Sequence, residues 1–381
     1  MERCTVDHVK DVRVLCERGF TLIELMISLV IASVIVAAGY TVLTTTHKAT
    51  ISNERAIGTQ QNVRVAMEVI ARDIKQAGFG MPTAPNVLLP VGGIAGNCAP
   101  GGTSAAIRPV DNNVAGIPLN ANDTGADTIS VVVPRTDPSW VLANAAPAGA
   151  PVFNNITLTG TAVTAMRNEG MADNSGAYVS LGGVVTVPVT TSLGAIIQLG
   201  RPTFAPMNFP VGTQVYLLQC VTYQVATGAA NCGSAGPCLT RTVDSGTAPT
   251  VTTSLVDGVE DLQFAYACDG CNAAINAGVP DGVIDDFNAN NTFDVADFQT
   301  NRVWAVGTFD PATIRLVQIN IVARQTAIDQ GTGEGNQSGN LSTPLQVSDH
   351  LPSNDVGYNA ATYQSFRRRF LTRTVDTRNM H

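Results

Sequence analysis

The chain has 381 residues, 45% of them apolar and only 14% charged, with a formal net charge of −8. That composition excludes an intrinsically disordered chain, which needs low hydrophobicity and high charge, and it suits one large domain or two ordinary ones. The acidic balance argues against a nucleic-acid partner, since Lys and Arg hold phosphate backbones and no basic patch with interleaved aromatics occurs.

Near the N-terminus lies "RGFTLIELMISLVIASVIVAAGY" (18–40). From Phe20 to Thr46 its only acid or base, apart from the phenol of Tyr40, is Glu24. About 20 apolar residues cross a bilayer as a helix, so a transmembrane segment is expected at about 20–43. Arg3, Lys10, Arg13 and Arg18 precede the run, while Lys48 and Arg55 follow it. This asymmetry places the N-terminus in the cytoplasm and the bulk of the chain outside. A cleaved secretory signal fits less well. The run exceeds the usual ~7–15 residues, and no small-residue A-x-A site closes it.

The helical pattern continues beyond the apolar run. Val63, Met67, Ile70 and Ile74 recur at spacings of three and four, which makes one apolar stripe. Arg64, Glu68, Arg72, Asp73 and Lys75 are assigned to the other faces, and Gly78 occupies a C-cap position. One continuous helix from about Phe20 to Ala77 is expected. A plain membrane anchor needs no amphipathic extension of this kind.

The stretch "RGFTLIELMISL" resembles the N-terminus of type IV prepilins: a base and a glycine, then a phenylalanine, then Thr-Leu-Ile-Glu-Leu. The resemblance implies cleavage after Gly19 by a prepilin peptidase, N-methylation of Phe20, and a leader at 1–19. It also implies that Glu24, fifth in the mature chain, pairs with the terminal amine of a neighbouring subunit and sets the register between them. Physics agrees with the need for a partner, because a charge in a membrane helix costs a few kcal/mol. The first helical turn already favours an anion. An unpartnered acid at the lipid interface is the alternative.

From 79 to 381 the material changes. Alternating or β-branched runs recur at 127–134, 154–160, 182–190, 213–226, 238–244, 259–267 and 313–324, divided by Gly, Pro, Asn and Ser clusters. No helical period of any length competes, and 83–126 reads as a loop-rich connector. The expected fold class is α+β: a long N-terminal helix at 20–78 packed on an antiparallel β-sheet head with long loops, type IV pilin-like.

Three further segments, "ARDIKQAGFG" (71–80), "SLVDGVEDLQFAYACD" (254–269) with "WAVGTFDPATIRLVQINIVAR" (304–324), and "RRRFLTRTVDTRNM" (367–380), resemble the large minor pilins of the PilW type. The J-type pseudopilins of type II secretion share the plan. The implied function is a minor pilin that primes assembly at or near the tip of a type IV pilus. The alternatives are a secretion pseudopilin and a pilus-borne adhesin or binding module. Implied partners are the major and minor pilins, through the N-terminal helix, and the inner membrane before assembly into a surface fibre.

Cys4 and Cys16 fall in the leader, which leaves Cys98, Cys220, Cys232, Cys238, Cys268 and Cys271 in the head. An even set in an exported domain reads as disulfides. Local loops Cys268–Cys271 and Cys232–Cys238 are expected, leaving Cys98 to Cys220. "CDGC" (268–271) also admits a redox or zinc reading, although a βαβ context and a second ligand pair are both missing.

"DFNANNTFDVAD" (286–297) has the spacing of a twelve-residue calcium loop. Asp286, Asn288, Asn290, Asp294 and Asp297 supply side-chain oxygens at positions one, three, five, nine and twelve, and Thr292 a carbonyl at seven. Asn291 stands where glycine is usual and Asp297 where glutamate is. A polar loop between strands is the equal alternative. No Gly-x-Ser-x-Gly elbow, phosphate loop or His-Glu-x-x-His is present, so no enzyme is expected.

Overall fold

The computed structural model describes residues 20–80, 98, 106–110, 125–146, 155–174, 176–200, 208–233, 236–244, 251–271, 275, 278–300, 302, 304, 309–328, 344–355 and 357–380. The chain separates into two units. One ends at Glu54, and the other begins at Arg55.

The first unit contains the N-terminal part of helix α1 (Leu22–Gln76). Thr21 opens the helix, its hydroxyl accepting from the Glu24 N–H at 3.3 Å and its carbonyl from the Leu25 N–H at 3.1 Å. Every residue from Phe20 to Leu43 is exposed, and the helix is long and apolar enough to cross a membrane. The hydroxyls of Ser28, Ser33, Thr41, Thr45 and Thr50 each donate to a carbonyl three or four residues back.

In the second unit the remainder of α1 is amphipathic. Val63, Met67, Ile70 and Ile74 are buried, with Ala66 and Ala71 between them. Burying each large side chain contributes roughly 1.5–3 kcal/mol. Gly78 ends the helix at φ +78°, a conformation that side chains rarely tolerate, and its N–H donates to the Val132 carbonyl at 3.1 Å.

After α1 come β1 (Ile107–Val110), β2 (Thr128–Arg135), β3 (Asn155–Thr157), the short helix α2 (Ala162–Asn168), β4 (Tyr178–Leu181), β5 (Val185–Leu193) and β6 (Ile196–Leu199). Then follow β7 (Val215–Ala226), β8 (Cys238–Asp244), β9 (Val251–Asp257), β10 (Val259–Cys268), β11 (Ile314–Arg324), the short helix α3 (Ala360–Gln364) and β12 (Arg368–Asp376). The architecture is α+β, with α1 packed on antiparallel sheets. Three details depart from the sequence expectation, the first being that β4 and β6 lie outside the runs read there as strands. Strand β1 lies within the stretch read as connector, most of which falls outside the described residues. Helices α2 and α3 occur where none was expected, because helices of seven and five residues are too short to show a period.

Nine strands form one sheet in the order β1-β2-β7-β4-β5-β6-β3, with β8 on β7 and β9 on β8. The splice is β7. Its first residues pair with β4, its later ones with β8, and its other edge with β2. The second sheet is β10-β11-β12. Gly258, at φ +84°, turns β9 into β10 where a Cβ would lie 2.5 Å from the Arg324 carbonyl. One core joins α1 to β10, β11 and β12 and to parts of β2, β7 and β8. A second, around Trp140, Leu158, Met166 and Leu181, holds α2 and the β4–β6 strands.

Candidate functional site

At the N-terminal end, Phe20 and Glu24 stand exposed at the first turn of α1. Gly19 lies outside the described residues. Among the described residues no group pairs with the Glu24 carboxylate, although the helix terminus behind it favours an anion.

The other end of α1 carries a polar lock that corrects the sequence reading of Asp73. Assigned there to an outer face, Asp73 is buried against the sheet at 2% exposure. Its Oδ2 accepts from the Tyr223 hydroxyl at 2.6 Å and from Arg241 Nε and Nη2 at 3.2 and 3.0 Å. Burial, then the Asp73 charge, pushes the Tyr223 phenol far above its ordinary range, so it remains a donor. Burial works against charge on Arg241, but Tyr223 and Asp73 more than offset it, and the guanidinium's pKa rises. The buried acid therefore keeps a full complement of donors, which a buried carboxylate requires. The signal that could have exposed it was faint: Asp73 sits beside Ile70 and Ile74 on the helical wheel, flanked by bases that made it read as solvated.

His350, given no role on sequence grounds, is the second buried ionic centre. Its Nδ1 lies 2.8 Å from Asp261 Oδ2 on β10, and its Nε2 lies 2.8 Å from Asp355 Oδ1. Burial alone would lower its pKa, but hydrogen bonds to the two carboxylates prevail and it is pushed up to about 10. A carboxylate on each ring nitrogen selects the imidazolium, with both nitrogens donating. The raised value means that this clamp is fully formed below the unfolded histidine's ~6.5 and fades as pH rises through about 10. Melting followed by Trp fluorescence should show stability falling by up to about 1 kcal/mol per pH unit across that window. Asp355→Asn should flatten the slope, and an unchanged slope in that variant would remove the clamp from the explanation.

The structure joins Cys98 to Cys220, Cys232 to Cys238, and Cys268 to Cys271. The Asp285 carboxylate accepts from the Gly270 and Cys271 N–H groups at 3.0 and 3.1 Å, which ties the short Cys268–Cys271 loop to the chain that follows. With both sulfurs oxidised, neither is a thiolate available for a metal. Within this loop, buried Asp269 binds Arg315 of β11 at 3.0 Å.

The polar loop at 286–297 gathers its donors. The amides of Asn288 and Asn290 both reach the Asp294 carboxylate, at 3.2 and 2.7 Å. Asp286 wraps back to accept from the N–H groups of Asn290 and Asn291, at 3.3 and 2.6 Å. Asn291 takes φ +61°, the left-handed conformation for which glycine is the default. Thr292 donates its N–H to Asn290 Oδ1 at 2.7 Å. Buried Asp297 accepts from the N–H groups of Phe287 and Asp294 at 2.9 and 2.8 Å. The Ala296 N–H and then Asn290 hold the Asp294 carboxyl below its ordinary range. A hard-oxygen donor set on one turn of chain is the kind that suits Ca²⁺.

Residues 222–379 match the family described as Type IV Pilus-assembly protein W. Residues 15–40 match the Prokaryotic N-terminal methylation motif. No curated protein and no solved structure matches the chain.

Proposed function

Because this chain is a type IV prepilin-like protein of the PilW type, a structural pilus component rather than an enzyme, we propose that it is a minor pilin which enters the fibre at or near its tip and helps start assembly. In this reading the peptidase cuts after Gly19 and methylates Phe20. Glu24 then meets the new terminal amine of a neighbouring subunit. The head lies in the periplasm before assembly, and other pilins bind through α1.

The observation that carries the reading is the character of α1. A methylation motif heads an apolar segment with every side chain exposed, and the same helix continues into an amphipathic half seated on a sheet. The size of the head supports a tip position, since roughly 300 residues beyond the helix leave little room for repeated packing along a shaft.

Mass spectrometry of the N-terminal peptide, on sheared surface fibres and on membranes separately, tests this. N-methylated Phe20 is expected in both fractions. The processed peptide confined to membranes would instead favour a secretion pseudopilin, and an unprocessed chain in both would end the prepilin reading.

Calcium at 286–297 belongs to the same proposal. Its support is the convergence of Asp286, Asn288, Asn290 and Asp294. Millimolar Ca²⁺ should raise the melting temperature over a chelator control by a few degrees, with Mg²⁺ ineffective. Asp286→Ala should abolish the rise; equal melting in calcium and chelator would leave only a polar loop.

A further inference from the structure

We propose that the outer edge of β12, which no described residue pairs, receives, with the groove between β12 and α1, an extended acidic segment of another protein chain as an added strand. The argument starts from register. Thr377 donates its N–H to the Arg315 carbonyl, and Gln325 donates to the Arg367 carbonyl, with Leu316 opposite Asp376. Odd-numbered residues of β12 therefore exchange hydrogen bonds with β11. The N–H and C=O groups of Phe370, Thr372 and Thr374 point away from the sheet, because β12 is its terminal strand. No described residue pairs with them.

An open edge alone invites any strand, and native proteins blunt such edges. This one is shaped. Beside it runs a groove of about 540 Å³, walled by Arg64, Val65 and Glu68 of α1 on one side and by Leu371 and Arg373 of β12 on the other. Val65 is 55% exposed within it. A strand laid along β12 would complete backbone bonds on one flank and set alternate side chains over the helix on the other.

Charge selects the occupant. Five of the chain's 22 Lys and Arg residues lie between Arg367 and Arg378, around Phe370 and against one acid, Asp376; in a chain of net charge −8 this local basic patch corrects the sequence expectation of none. Arg373 is held by Glu68 and Arg368 by Glu260. Arg64, Arg369 and Arg378 are exposed and without an ion pair among the described residues. A basic edge repels a second copy of itself and favours carboxylates at alternate positions of an incoming strand.

The test uses the full-length chain in detergent micelles and two fluorescent ten-residue peptides, alternating Val–Glu and alternating Val–Lys. Fluorescence anisotropy should show the Glu peptide binding at least about tenfold more tightly than the Lys peptide. Thr372→Pro removes an outward N–H that β11 does not use and should weaken binding of the Glu peptide by about tenfold or more. If that variant melts at a lower temperature, the surface pair Arg64→Glu with Arg369→Glu carries the test, and it should reverse the preference between peptides. Equal affinity for the two peptides, no binding of either, or undiminished binding by a folded Thr372→Pro variant would each overturn the proposal.

Discussion

Asp73→Ala should lower the unfolding free energy of the head by about 4 kcal/mol, whereas Arg72→Ala next to it should lower it by less than about 0.5 kcal/mol. Both residues belong to one ion-pair cluster, but their surroundings differ. The Asp73 side chain is 3% exposed and Arg72's is 63% exposed. Removing Asp73 leaves the half-buried Arg241 guanidinium and the buried Tyr223 hydroxyl without their acceptor, and an uncompensated buried charge is what makes such deletions severe. Removing Arg72 frees an exposed side chain at 3.4 Å from a carboxylate that keeps its other donors. Denaturant titration read through Trp140 and Trp304 gives both values. Replacing the trio together, as Asp73→Leu, Tyr223→Phe and Arg241→Met, should recover most of the loss, since no buried charge is then orphaned. Equal effects of Asp73→Ala and Arg72→Ala would mean that the lock is a surface ion pair in disguise.

The double variant Cys98→Ala with Cys220→Ala should cost about 5 kcal/mol, and Cys232→Ala with Cys238→Ala about 2 kcal/mol. The difference follows from chain entropy. The first bridge spans 122 residues and the second spans 6, and closing a longer loop removes more freedom from the unfolded chain. The long bridge also sits in its own apolar cluster with Val132, Tyr178 and Leu218, so its loss leaves a cavity as well. Thermal melts of both variants beside the parent decide the matter. If the six-residue bridge proves the costlier of the two, the packing that each bridge fixes in the folded head, rather than loop closure, governs these disulfides.

The sequence disclosed those parts of the fold whose signal is local. Val63, Met67, Ile70 and Ile74 announced a buried helix stripe because their spacing alone defines a face. The runs at 213–226 and 313–324 announced β7 and β11 because alternation and β-branching need no partner to be read. Asp73 was misplaced because its burial depends on Arg241, 168 residues away, and no local pattern encodes that pairing. His350 went unseen for the same reason, being 89 residues from Asp261. The division of the head into separate cores rests on β7 changing partners midway from β4 to β8, an event of topology rather than of composition.

The hydroxyl bonds along the first part of α1 have a consequence for transfer between solvents. Ser28, Ser33, Thr41, Thr45 and Thr50 satisfy their donors within their own helix, so none of them requires water, a lipid headgroup or a neighbouring side chain. Moving this segment from acyl chains to a protein interior therefore breaks no polar contact at those positions. Up to Leu43 the partition between the two environments is left to shape complementarity, with the Glu24 carboxylate and the Tyr40 phenol as polar groups whose solvation must change.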